Sequence, residues 1–181
     1  NGDNRYWDYL KGKASIMQPV LPIVAIPTTA GTGTEADPWT VITNADTNEK
    51  IGFGIDATFP RLSIVDPELM VSVPPLFTAY QGMDAFFHAA ESVICKNENP
   101  MGEMFALKAI ELIAKHLPTA VVDGQDLDAR EGMVYAEYLA GIAFNNASLG
   151  YVHAAAHQLG GRYGLPHGLA NALMLPAVTD F

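Results

Sequence analysis

The sequence predicts an α/β segment followed by an all-α one, with the junction at Pro74-Pro75. Three observations lead there. Before the junction, β-rich runs are short and separated by Gly, Pro, Asn and Asp, as brief strands and tight turns require. After it, apolar residues recur at spacings of three and four over long stretches, the signature of amphipathic helices. The third observation is compositional: the first 80 residues contain no histidine, whereas all five histidines fall between His88 and His167. The expected division is residues 1–74 and residues 75–181.

Taken in chain order, Val20 to Ile26 reads as a strand, followed by shorter candidates at Thr40 to Thr43, Ile51 to Ile55 and Leu62 to Val65. Helices are expected from Pro75 to Cys95, Pro100 to Ala120, Leu127 to Ala147, Gly150 to Gly160 and Leu165 to Phe181. Two of their starts carry clear signals. Asn99-Pro100 offers an N-cap with proline at the first helical position, and Asp126 can cap the helix that begins at Leu127 by accepting from otherwise unpaired N–H groups.

Composition narrows the function. The 181 residues are 49% hydrophobic and only 17% charged, below the roughly 25% of average soluble proteins. That supplies an ample core but leaves less charge than expected for a chain that must cover its whole surface with water-soluble groups. Twenty Asp and Glu against ten Lys and Arg give a formal charge of −10 with no basic stripe, which excludes nucleic acid and anionic membrane as partners. The single cysteine, Cys95, leaves no internal disulfide and no thiolate metal cluster. No apolar run approaches the roughly 20 residues of a membrane-spanning helix. The start, Asn1 to Arg5, lacks the form of a signal peptide, and a cytoplasmic protein is expected.

Two regions carry chemistry. Pro27-Thr28-Thr29-Ala30-Gly31-Thr32-Gly33-Thr34-Glu35 follows the first strand. Its small residues permit close backbone approach and its hydroxyls and N–H groups can bind phosphate oxygens, yet the same residues also make an ordinary turn, and both readings stand. It matches neither the dinucleotide fingerprint nor the phosphate loop ending in Gly-Lys-Ser/Thr. Lys50, taken alone, reads as a solvated lysine.

The second region is the histidine-rich half. Asp84 and His88 stand at i and i+4, on one helical face, with Glu91 one step further along it. His153 and His157 repeat the spacing, and His167 follows a Gly-rich turn at a helix start. All are embedded among Ala, Leu and Gly, so they should be largely buried, and buried imidazoles need partners. Four such histidines with an aspartate, in a half otherwise poor in charge, point to a metal. Imidazoles with one carboxylate suit Zn²⁺ or Fe²⁺ better than Ca²⁺ or Mg²⁺. The His-Glu-x-x-His motif of zinc proteases is absent. His116, ahead of Pro118, is expected at the surface near a helix end.

With these residues in view, the run from Pro27 to Glu35, Asp66-Pro67-Glu68-Leu69, Gly82-Met83-Asp84 with His88 and Glu91, His153 with His157-Gln158-Leu159-Gly160-Gly161, and Pro166-His167-Gly168-Leu169-Ala170-Asn171 together resemble the iron-containing (group III) alcohol dehydrogenases. The match is collinear over essentially the whole chain. The resemblance implies a dehydroquinate-synthase-like fold in which residues 1–74 form the end of a Rossmann-like dinucleotide-binding domain and residues 75–181 the first part of a helical metal-binding domain. It implies Asp84, His88, His153 and His167 as ligands of Fe²⁺ or Zn²⁺, and His157 as a further active-site histidine near the nicotinamide. It also implies Thr28, Thr29, Gly31, Thr32 and Lys50 as contacts of NAD or NADP. The reaction implied is hydride transfer between a primary or secondary alcohol and the nicotinamide, in a homo-oligomer; the i+4 spacing from His153 places His157 beside the metal but free of coordination, where it is expected to relay the alcohol proton to water. Members usually carry a Gly-Gly-Gly-Ser pyrophosphate motif upstream, so this chain is expected to be an internal piece and inactive alone. A lyase or hydrolase on the same ligand set, and a non-catalytic metal-binding module, are the alternatives. A hydrolase would have no use for the Gly-Thr loop.

Overall fold

A computed structural model of the chain describes residues 6–16, 20–97 and 99–180. The strands are short. β1 (Val24–Ala25) pairs in parallel with β4 (Leu62–Ser63), Val24 opposite Leu62, while β2 (Thr40–Thr43) and β3 (Lys50–Phe53) form an antiparallel hairpin with Thr43 opposite Lys50. The expected strand from Val20 to Ile26 shrinks to its centre because Pro22 and Pro27 lack the N–H that a ladder needs. A five-residue helix, α1 (Tyr6–Leu10), precedes the strands and is too short to show a periodic signal. It rests on the hairpin, where the Tyr6 hydroxyl donates to the Thr40 carbonyl and its ring meets Phe53 edge to face.

The helical part follows the expected pattern closely: α2 (Pro75–Ile94), α3 (Pro100–Val122), α4 (Leu127–Ala147), α5 (Tyr151–Tyr163) and α6 (His167–Thr179). The anticipated end of α6 at Phe181 lies outside the described residues. Asn99 caps α3 by accepting from the N–H groups of Met101 and Gly102, and Asp126 caps α4 by accepting from Ala129 N–H. α3 runs through Pro118, so His116 is not at its end; the ring is half-buried and packs over Gly132 of α4.

α2, α3 and α4 pack on one another. Their contact is alanine-rich: Ala89, Ala106, Ala109, Ala140 and Ala143 are fully buried, which lets the helices approach closely. Beside them Met70, Ile113, Met133 and Val134 form a bulkier core. α5 and α6 lie against each other and against α2, and α5 also touches β3. Two glycines make those approaches possible. A Cβ on Gly168 would lie 1.8 Å from the Tyr80 carbonyl oxygen of α2, and one on Gly161 would lie 2.5 Å from the Asn48 carbonyl of the hairpin turn. The first contact seats His167 against α2, and the second brings the hairpin, with Lys50, alongside α5.

Candidate metal and cofactor centre

Three helices supply the centre. α2 contributes Asp84, His88 and Glu91 from one face, α5 contributes His153 and His157, and α6 contributes His167 and Asn171. One ligand-type atom from each of Asp84, His88, His153 and His167 lies within 4.8 Å of the others. Tetrahedral ligands at metal bond lengths of about 2.0–2.2 Å stand roughly 3.3–3.6 Å apart, so small side-chain shifts would bring the four atoms onto one ion. His153 Nε2 and His167 Nε2 stand 3.5 and 3.4 Å from Asp84 Oδ1. His157 stays outside the group, its ring 5.1 Å from that of His167 and 6.3 Å from that of His153.

The groups behind the cluster determine which atoms face inward. His88 Nδ1–H donates to the Gly31 carbonyl at 3.1 Å, which frees Nε2, and the ring is stacked between Phe144 and His153. Asn171 is fully buried, and its amide donates to Asp84 Oδ1 at 2.6 Å. His167 Nδ1 and Asn171 Oδ1 are buried with no hydrogen-bond partner among the described residues.

Electrostatics suit a cation. Burial pushes His88 down to about 3, and burial with the neighbouring His167 and Lys50 pushes His157 down to about 4, so both rings are neutral near pH 7. His167 is lowered chiefly by burial as well. Burial opposes ionisation of Asp84, but the surrounding histidines outweigh it and hold its carboxyl below the usual range. For His153, burial opposes protonation and the Asp84 and Glu91 carboxylates prevail, raising its pKa, so an ion bound there displaces a proton. Imidazole lone pairs around one carboxylate are the donors that a borderline divalent ion takes.

These side chains open onto a cavity of about 620 Å³. Of the residues anticipated from the sequence, Thr32, Lys50, Asp84, His88, His153, His157 and His167 line it. Thr28, Thr29 and Gly31 do not; Gly31 instead reaches the centre through its carbonyl on His88. Two amides of the Gly-Thr loop turn inward, Ala30 N–H to the Gln81 side chain at 3.4 Å and Gly33 N–H to Glu137 Oε1 at 3.0 Å. Lys50 is half-buried, and burial lowers its pKa despite the opposing pull of Asp84.

Several cavity-lining residues were not anticipated. Asp37, Trp39, Phe144, Ser148 and Leu149 line the cavity, brought there by loop and helix-end positions that carry no spacing signal. Burial is the main cause that raises Asp37 to about 7. Asn171 stands four residues beyond His167, the same spacing as Asp84 to His88, and was legible on that ground.

Residues 78–181 match the pattern described as "Fe-containing alcohol dehydrogenase family, C-terminal", and residues 1–67 match "Iron-containing alcohol dehydrogenase". The chain belongs to the iron-containing alcohol dehydrogenase family. It is 49% identical over 174 residues to alcohol dehydrogenase 4 of Schizosaccharomyces pombe, covering 96% of this chain and 41% of that protein. With the NAD-dependent methanol dehydrogenase of Bacillus methanolicus it shares 47% identity, covering 96% of this chain and 45% of that one. Among solved structures, an alcohol dehydrogenase from Oenococcus oeni superposes with a TM-score of 0.90 at 44% identity, over 99% of this chain and 46% of that one. The fold is thus the dehydroquinate-synthase-like fold of this family, and the chain spans somewhat under half the length of these relatives.

Proposed function

We propose that these residues belong to a metal-dependent dehydrogenase that transfers a hydride between a primary or secondary alcohol and NAD or NADP. The supporting observation is the convergence of Asp84, His88, His153 and His167 on one cavity that also receives Thr32 and Lys50. In this reading residues 1–74 complete a nucleotide-binding domain, residues 75–181 begin a helical one, and the assembled enzyme is a homo-oligomer. The donor set fits Fe²⁺ or Zn²⁺, held by Asp84, His88, His153 and His167. Such an ion supplies Lewis acidity at the alcohol or carbonyl oxygen.

The chain's own residues do the rest. Asp84 provides the one negative charge among the four ligands. His157, neutral and outside the ligand group, accepts the alcohol proton and passes it to water. Within the cavity Lys50 offers its ammonium and Thr32 its hydroxyl to the cofactor, and Thr28, Thr29 and the Gly31 backbone, outside its lining, meet the part of the cofactor that extends beyond it. Trp39, Phe144 and Leu149 give the cavity an apolar wall that keeps water from the reacting carbon.

The test has two readouts. The chain should bind one equivalent of Zn²⁺, or of Fe²⁺ without oxygen, and Asp84→Ala should abolish that binding. A polypeptide of the relatives' full length that contains these residues should reduce NAD⁺ or NADP⁺ with a simple alcohol. Failure of the wild-type chain to take up either ion refutes the metal assignment.

A further inference from the structure

We propose that Glu91 is a positioning residue whose carboxylate fixes the His153 ring with Nδ1–H turned outward and Nε2 turned toward Asp84, and so sets how tightly the site holds a divalent cation. The inference rests on the metal reading above.

Glu91 is 2% exposed, so its charge is met by the protein. Its Oε2 lies 2.5 Å from His153 Nδ1. A carboxylate only accepts, so a contact this short places the hydrogen on Nδ1. The same carboxylate receives the first turn of α5: Oε1 accepts Val152 N–H at 2.7 Å, and Oε2 accepts His153 N–H at 3.3 Å. The residue at the N-cap, Gly150, brings no side chain of its own, so a charge from α2 stabilises the start of α5 and its dipole.

The far side of the ring agrees. Asn171 must direct its NH₂ at Asp84 Oδ1, since the amide oxygen would repel the carboxylate, and the same NH₂ stands 3.3 Å from His153 Nε2. In the neutral ring that nitrogen is therefore the acceptor, with its lone pair toward the cluster. Without Glu91 the imidazole torsion has two broad minima and either nitrogen could face inward.

The sequence logic is economical. Asp84, His88 and Glu91 stand at i, i+4 and i+7 on α2, so one helical face carries two candidate ligands and the group that aims a third from another helix. A carboxylate on the outer nitrogen of a metal-binding histidine fixes its tautomer, and losing such a partner typically weakens metal binding about 10–100-fold.

Zinc affinity of the chain, measured by competition with a chromophoric chelator, tests this in a double-mutant cycle. Glu91→Gln keeps the shape but cannot accept from both the ring and the α5 amides. It should weaken zinc binding about 10–100-fold in the wild-type background and cause no further loss in the His153→Ala background. Unchanged affinity, or an equal loss in both backgrounds, would overturn the proposal, the latter reducing Glu91 to a helix cap. Nitrogen-15 spectra of the metal-free wild-type chain, followed upward in pH until the His153 ring is neutral, decide the orientation independently, even if the variant does not fold. The hydrogen should sit on His153 Nδ1, and a neutral ring carrying it on Nε2 would sink the inference. Failure of the wild-type chain to bind zinc would instead count against the metal reading, leaving the spectra to judge Glu91.

Discussion

Two side chains at the cavity carry opposite kinds of constraint. Ser148 joins α4 to α5 with φ 107° and ψ 175°, a region populated almost only by glycine. Holding a serine there costs about 1–3 kcal/mol, and Ser148→Gly should relieve part of it despite the greater entropy of unfolded glycine. The expected result is a gain of about 1 kcal/mol, read as a higher urea midpoint at constant slope; a loss would mean that the serine side chain has a stabilising role. His157 is constrained by chemistry instead. Its ring is neutral and stands beside the four-residue group without joining it. His157→Ala, made in a polypeptide of the relatives' full length, should keep wild-type metal content while alcohol-dependent reduction of the nicotinamide falls about 100-fold. Loss of the metal would instead make His157 a ligand. The pairs Asp84–His88 and His153–His157 were readable in advance because helical spacing is local information. Asp37 and Ser148 were not, since a loop residue's neighbours depend on where the chain returns.

The five long helices were legible to within about three residues at either end, because caps and apolar spacing act within a few turns. The Gly-Thr loop was legible only as a loop, since its docking depends on helices far along the chain. It sits over Glu137 of α4, whose Oε1 accepts Gly33 N–H, while Glu137 Oε2 and both oxygens of Glu35 are buried without hydrogen-bond partners among the described residues. Burial raises both carboxyl groups, and for Glu137 the nearby Glu35 adds to it, carrying its pKa well above the model-peptide 4.5. A carboxyl raised in the folded state holds its proton at pH values where the unfolded chain has lost it. Stability is therefore fully present below about pH 4.5 and is lost as pH rises through the folded value. Burial lowers His88 and His157, which acts in the opposite sense up to about pH 6.5, so the Glu137 contribution in the metal-free chain is read against Glu137→Gln, whose amide oxygen can still accept from Gly33. The urea midpoint of the wild type minus that of the variant should fall across that window; a constant difference would show that Glu137 is not the group responsible.

Taken together, the helices meet around a site that no single one of them contains. α2, α5 and α6 each bring at least one member of the four-residue group. An ion held there should tie all three together, as binding to the folded state alone adds stability by mass action. At free zinc about 100-fold above the dissociation constant the gain is about 2.7 kcal/mol, or roughly 5–10 °C in Tm for a chain of this size. Calorimetric scans with zinc and then with excess chelator check it, and an unshifted Tm would contradict the site. The low charge of the sequence appears in the structure as apolar side chains left at the surface. Leu21, beside β1, is 85% exposed, and both members of the Val24–Leu62 pair are more than half exposed. Among the described residues no helix is long and apolar enough to cross a membrane.

Local sequence was sufficient for the long helices and for the caps at Asn99 and Asp126, since each depends on neighbours within one or two turns. It was also sufficient for the family, whose motifs are contiguous. Which hydrogen of which histidine faces outward depended on the packing of α2, α5 and α6. So did the inward turn of two Gly-Thr amides and the gathering of Asp37, Trp39 and Leu149 at the histidines. Those features depend on contacts between residues tens of positions apart, and such contacts exist only once the helices have docked.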